Sequence, residues 1–457
     1  MFVKTIVVLH LSCICFTQAC HFLGSFDNYR LLLKMFMNTG SASNMSEAST
    51  KWIEQPLDHF NENENRTWRM RYFEKLDYWQ PEGPVYLFIT GEWTASDKFL
   101  LYGLMHDIAK ESNGAMFSSE HRYYGESKPF ETFTTENLAY LSSRQALADV
   151  ANLLKEIKQL PQYKDSKVVI VGGFYSGNLA AWLKSLYPEL VDAAIASSAP
   201  VLAKKDFFEY IEAEFKRYDK LFQTNAGIET IKKELKICES SDLTKPENRQ
   251  MLFDALIGPY KGQAQYGTTE SIKYFCNTRY NISKDWSDVF SECDECDFWN
   301  EEENCYDFNF DDMIEHTAKD SEMMAWIYQT CTEFGYFHST SSSNQPFTDN
   351  VPVEYYIKIC MKLYGPEFNE KRVDMGVEKA NEMYGGLNPN VTNVVFVNGE
   401  LDPWARLGVL EDLSPDAPAK VIPRASNCRD FDDPNNDEEL KEARKYVKQL
   451  IKQWIKA

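Results

Sequence analysis

Hydrophobic positions along the chain follow two rhythms. Short apolar runs at 84–91, 115–122, 168–171, 193–200 and 393–399 are flanked at one end or both by Gly, Pro or Asn, the pattern of strands buried on both faces. Between them, 100–110, 137–160 and 176–188 carry apolar residues at helical spacing, and Pro188 ends the last of these. Strands alternating with helices predict a mainly parallel sheet covered on both faces, an α/β core. Ahead of it, alternating aromatic and polar residues at 51–79 predict an antiparallel lead-in. From 204 to 374 the chain turns helical, acidic and cysteine-bearing, with helices expected at 206–221, 227–235, 245–257 and 311–326. The core resumes over 375–457 with the strand 393–399, a short strand at 420–422 and a charged helix at 437–455. Residues 51–203 and 375–457 therefore read as one core, and 204–374 as an inserted helical cap.

The first residues change where that core is expected to reside. Lys4, an apolar stretch at 6–16 and Thr17-Gln-Ala19 make a secretory signal over 1–19, followed by a poorly ordered leader over 20–50. The apolar stretch is too short to span a bilayer and no later one is long enough, so no membrane span is expected. Outside the signal region stand Cys238, Cys276, Cys293, Cys296, Cys305, Cys331, Cys360 and Cys428. An even set of eight in an oxidising compartment predicts disulfides, with at least one bridge tying insert to core if all eight pair. Cys293-x-x-Cys296 with Cys305 lacks the further ligands of a tetrahedral set, so no metal is expected. Asn44, Asn65, Asn281 and Asn390 each begin an Asn-x-Ser/Thr glycosylation site. The destination is the secretory pathway, extracellular or lysosomal. A net charge of −21 argues against nucleic acid and anionic membrane as partners, since both need a basic face.

Candidate chemistry centres on 168–188. Four β-branched residues, Gly172-Gly173 and a helix from about 176 form strand, sharp turn and helix, as at a nucleophile elbow. The elbow position is Phe174, flanked two residues away by Gly172 and Ser176. A phenyl ring has no lone pair to attack a carbonyl. Asp402 follows the strand 393–399, where this fold places its acid. The histidine should follow the last strand, yet all seven histidines precede Asp402, and the position is held by Asn427. An amide cannot take up and return a proton near neutral pH.

On Gln55-Pro-Leu-Asp-His-Phe60, Glu120-His-Arg-Tyr-Tyr-Gly125, Leu141-Ser-Ser-Arg-Gln-Ala-Leu-Ala-Asp149, Ala196-Ser-Ser-Ala-Pro200, Tyr328-Gln-Thr-Cys-Thr-Glu-Phe-Gly335 and Asn398-Gly-Glu-Leu-Asp-Pro-Trp404, residues 51–455 resemble a serine exopeptidase family. That family includes prolyl carboxypeptidase, dipeptidyl peptidase II and thymus-specific serine protease. The resemblance implies an α/β-hydrolase core with a helical cap, cleavage near proline in small peptides, and no cofactor. It places the nucleophile at Phe174, the acid at Asp402 and the histidine at Asn427, with Gly91, Glu92 and Tyr175 in the oxyanion region. The family's Gly-Gly-Glu-Gly is here Thr90-Gly-Glu-Trp93, and its histidine after Asp-Pro-Trp is Ala405.

Losing the serine or histidine of such a triad costs on the order of a million-fold in turnover. The leading expectation is thus a pseudo-peptidase that binds small peptides or a catalytic relative, with a homodimer as a possible state. One alternative is an active exopeptidase using Ser176 with His121 or His338 as base; another is a structural or storage glycoprotein without a cleft. Phe174 is expected either to keep the strained elbow backbone with its ring in the nucleophile's space, or to have relaxed it.

Overall fold

The computed structural model describes residues 48–210, 228–229, 232–233, 235–267, 299–300, 305–342, 349–431 and 437–456. The expected signal and the expected leader as far as residue 47, with Asn44, Asn281, Cys276, Cys293 and Cys296, lie outside them. The chain divides into two compact units. Among the described residues, one is drawn from Asp206–Thr317 and His338–Ile359, the other from the stretches through Lys205, Ala318–Phe337 and Cys360 onward. Residues 318–337 and 360–374, expected in the insert, thus group with the sheet.

That sheet has eight strands. They are β1 (Ser49–Pro56), β2 (Thr67–Lys75), β3 (Val85–Ile89), β4 (Ala115–Ser119), β5 (Val168–Gly173), β6 (Ala193–Ser197), β7 (Val394–Gly399) and β8 (Ala419–Ile422). Their spatial order is β1-β2-β4-β3-β5-β6-β7-β8. The lead-in pair and β2/β4 are antiparallel, and every later neighbour is parallel. Strands β3 to β7 are buried along their whole length, which is why they read as unbroken apolar runs. The helices that matter below are α1 (Leu104–Glu111), α2 (Ser143–Gln159), α3 (Tyr175–Leu186), α4 (Ser321–Gln329), α5 (Glu370–Tyr384) and α6 (Glu438–Trp454). The fold is α/β, with the parallel sheet and elbow of an α/β-hydrolase.

The helix expected at 311–326 is broken. Phe310–Thr317 ends, and α4 begins after Asp320, whose carboxylate accepts from the backbone N–H groups of Glu322 and Met323. Such a cap satisfies two orphan donors and starts a new helix. At 206–221, residues 204–206 form a short strand and 208–210 a 3₁₀ turn, while 211–221 lie outside the described residues.

Two buried carboxylates account for much of the scaffold. Asp149 on α2 receives Arg122 through two bonds of 2.6 and 2.8 Å and His59 at 2.7 Å. The same guanidinium donates to the carbonyls of Leu57 and Tyr140. Glu120, after β4, holds Arg71 and accepts from Ala95 N, Glu126 N and the Ser127 hydroxyl. These charges are tolerable inside because each is paired and fully hydrogen-bonded.

Two disulfides occur among the described residues, Cys238–Cys305 in the insert unit and Cys331–Cys360 in the sheet unit. Cys428, expected in a disulfide, is instead a buried free thiol. Its sulfur packs against Gly173 so closely that a Cβ on that glycine would lie 2.9 Å away, and no other described cysteine is unpaired.

Candidate active site

Register brings the site together. Gly173 at the end of β5 faces Ser197 on β6, which faces Val397 on β7, so the turns after neighbouring strands meet along the carboxyl edge of the sheet, where open α/β folds carry their sites.

The elbow is intact. Between β5 and α3, Phe174 has φ 59° and ψ −127°, a left-handed φ that is costly for a bulky side chain, about 1–3 kcal/mol. The surroundings enforce it. A Cβ on Gly172 would lie 2.0 Å from the Ser176 carbonyl oxygen, and one on Gly177 would lie 2.7 Å from that of Ser197. Phe174 N–H donates to Ser197 O at 2.9 Å. The ring is 4% exposed and meets Trp404 edge-on at 4.7 Å, with Trp326 at 6.5 Å. The strained backbone is kept, and an aromatic cluster fills the place beside it.

Asp402 caps the 3₁₀ turn Pro403–Leu407, accepting from Trp404 N at 3.0 Å. Its other oxygen accepts from Asn427 Nδ2, also at 3.0 Å. The amide thus stands against the carboxylate expected as the acid, donating the N–H an imidazole would donate, but it has no basic nitrogen to receive a nucleophile's proton. Burial pushes the Asp402 carboxyl up to about 7, with the Trp404 N–H, the Ser198 hydroxyl and Asn427 acting in the opposite direction. Ser198, at φ 44°, also accepts from Cys428 N at 2.9 Å and so joins the acid to the Asn427 loop.

This has a pH consequence. A carboxyl whose folded pKa is about 7 against an ordinary 3.8 holds a proton that the unfolded chain has released. Its contribution to stability is therefore complete below pH 3.8 and lost as pH rises through 7. Asp402→Asn has no such term. Melting curves at pH 5 and pH 8 are expected to show the variant gaining on the wild type as pH rises; a constant difference would contradict this.

The Ser176 hydroxyl is bonded to neither alternative base. It is fully buried, accepting from Gly173 N and donating to Gly173 O, both at 2.9 Å. His121 Nδ1 faces Arg122 O at 2.8 Å, leaving Nε2 to meet the Tyr175 hydroxyl at 3.2 Å. Burial holds its imidazole down to about 4, so it is neutral. Tyr175 in turn accepts from Gln329 Nε2 at 2.9 Å, and Gln329 Oε1 accepts from Tyr124 at 2.7 Å. His338 belongs to the other unit and stacks on Tyr210 at 3.8 Å. Of the residues expected in the oxyanion region, Gly91 packs on the first turn of α3, with a Cβ there 3.3 Å from Ser176 N. Glu92 is buried beside it, and burial drives its carboxyl well above the usual range.

Sequence reasoning missed Ser198 and the aromatic cluster. Ser198 stood inside a quoted motif at the end of β6, one strand from the elbow, and that position was its signal. Trp326 had none.

A family model described as serine carboxypeptidase S28 matches residues 55–214 and 210–447. The thymus-specific serine protease of Mus musculus is 30% identical, covering 89% of this chain and 87% of that protein. The lysosomal Pro-X carboxypeptidase of Bos taurus is 29% identical over 89% of this chain and 88% of its own. The Caenorhabditis elegans protein named "Putative serine protease K12H4.7" is 30% identical over 91% of this chain and 89% of its own. Matches of this length lead to one conclusion: the chain belongs to the serine carboxypeptidase S28 family.

Proposed function

We propose that this chain is a peptide-binding member of the family that no longer performs acyl transfer. The observation carrying the reading is the pair of substitutions at one preserved frame: a phenyl ring at the φ 59° elbow, and an amide 3.0 Å from Asp402. Covalent hydrolysis needs a hydroxyl or thiol at the first position and a proton acceptor at the second. Ser176 supplies neither the position nor the freedom, because both sides of its hydroxyl are committed to Gly173.

The ligand class proposed is a small proline-containing peptide. It rests on the kinship with a Pro-X carboxypeptidase and on the kept site frame. The route proposed is the secretory pathway with a lysosomal or extracellular end, supported by the lysosomal name of that relative and the signal-like first residues. Asn65 and Asn390 are exposed and suit glycosylation there. Purified full-length chain incubated with Ala-Pro and Pro-Phe peptides is expected to show saturable binding by calorimetry and no cleavage product by mass spectrometry. Saturable cleavage would overturn the reading.

A further inference from the structure

The last helix carries a charge opposite to that of the chain. The whole sequence has a net charge of −21, yet from Lys441 to Lys456 six lysines and arginines stand against one acid, Glu442. Their order along α6 is regular. Lys441, Lys445, Lys448 and Lys452 recur at the spacing that brings residues onto one helix face, and at the rise of an α-helix the stripe is about 16 Å long. The apolar residues Leu440, Ala443, Val447, Ile451 and Trp454 are buried, so the hydrophobic side of α6 is committed to the protein's own core.

The stripe lines an open groove of about 560 Å³ beside α1. Helix α1 contributes two carboxylates to it, Asp107 and Glu111, and α6 five cations, the four lysines and Arg444, which leaves an excess of three positive charges. The two carboxylates are shared among three cations. Arg444 meets Asp107 at 2.7 Å, Lys448 meets Glu111 at 2.8 Å and Asp107 at 3.7 Å, and Lys452 meets Glu111 at 2.6 Å. Lys441 has an exposed partner, Glu438 at 2.7 Å, which does not line the groove. An exposed pair of this kind is worth under about 1 kcal/mol, so a ligand anion can take its place. Salt screens charges beyond about 8 Å, so the local excess, and not the charge of the whole chain, decides what this groove attracts.

We infer that the groove between α1 and α6 binds a linear sulfated polysaccharide, its sulfates following the lysine stripe. Anions repeat along such a polymer as the cations repeat along the helix. Four of the five cations are lysines, point charges that accept an anion from any direction, where arginine would favour planar, bidentate groups. A basic amphipathic helix at a membrane needs a free apolar face to insert, and that of α6 is buried. The inference is independent of peptide binding and draws on the proposed secretory route only for where such a polymer is met.

The test is calorimetry at pH 7 on the full chain with a heparin-derived octasaccharide and with its desulfated counterpart. The sulfated form is expected to bind, with affinity falling on the order of tenfold between 50 and 200 mM salt, and the desulfated form to show no binding. Lys445→Glu/Lys452→Glu is expected to weaken binding by about tenfold or more, whereas Lys164→Glu/Lys371→Glu, the same change of charge on the loop before β5 and on α5, is expected to leave it within about twofold. No binding by the wild type, equal binding of the desulfated form, or equal loss in both double variants would overturn the inference. So would tighter binding to phosphatidylserine vesicles or to a DNA oligonucleotide than to the octasaccharide. The wild-type arms decide the matter even where a variant does not fold.

Discussion

Replacing Phe174 by Ser and Asn427 by His together is expected to yield a working peptidase, with turnover of a proline-containing peptide about a thousand-fold or more above either single variant. The frame is ready for both side chains. Phe174 already holds the elbow conformation at φ 59°, which a serine adopts with less crowding. Asn427 already donates to Asp402 at 3.0 Å, the contact an imidazole in its place would make through one nitrogen, leaving the other to act as the base. Triad members act as a unit, so Phe174→Ser alone gains a hydroxyl without a base and Asn427→His a base without a nucleophile. Steady-state kinetics on the three variants checks this. A double variant no faster than the singles would show that the altered Thr90–Trp93 loop has lost its oxyanion donors as well.

Asp149→Ala is expected to cost about 3–5 kcal/mol of stability, the usual result of removing one partner of a buried ion pair. The carboxylate is 1% exposed and carries both Arg122 and His59. Arg122 is fully buried, so truncation leaves a guanidinium with no countercharge from Asp149. Urea unfolding is the measurement, and a loss under about 1 kcal/mol would contradict the role of Asp149 as the centre of this cluster.

The two predictions draw on different parts of what the chain discloses. The elbow was legible because a run of β-branched residues, two glycines and a helical stretch are local signals, and Gly172 is required by a contact only four residues away. Asp402 and Asn427 were legible because they follow strands β7 and β8 in an order the fold imposes. The scaffold motifs were visible as strings, but their reason was not. Gln55, His59, Arg122 and Asp149 make one cluster only after β1, the turn after β4 and α2 are folded together. The same holds for the cluster around Phe174, whose tryptophans come from positions 326 and 404. Cys428 misled because counting cysteines assumes each can reach another, and this one is fixed against Gly173 by Ser198 and the β5 turn. The break at Asp320 was a capping signal inside a stretch whose apolar spacing favoured one long helix.

The central claim concerns the absence of a nucleophile, and one measurement addresses it without choosing a substrate. Purified wild-type chain exposed to a fluorophosphonate probe, beside Phe174→Ser/Asn427→His as the positive control, is expected to remain unlabelled while the double variant labels at position 174. Covalent labelling of the wild type at Ser176 or any other serine, abolished by prior denaturation, would contradict the account.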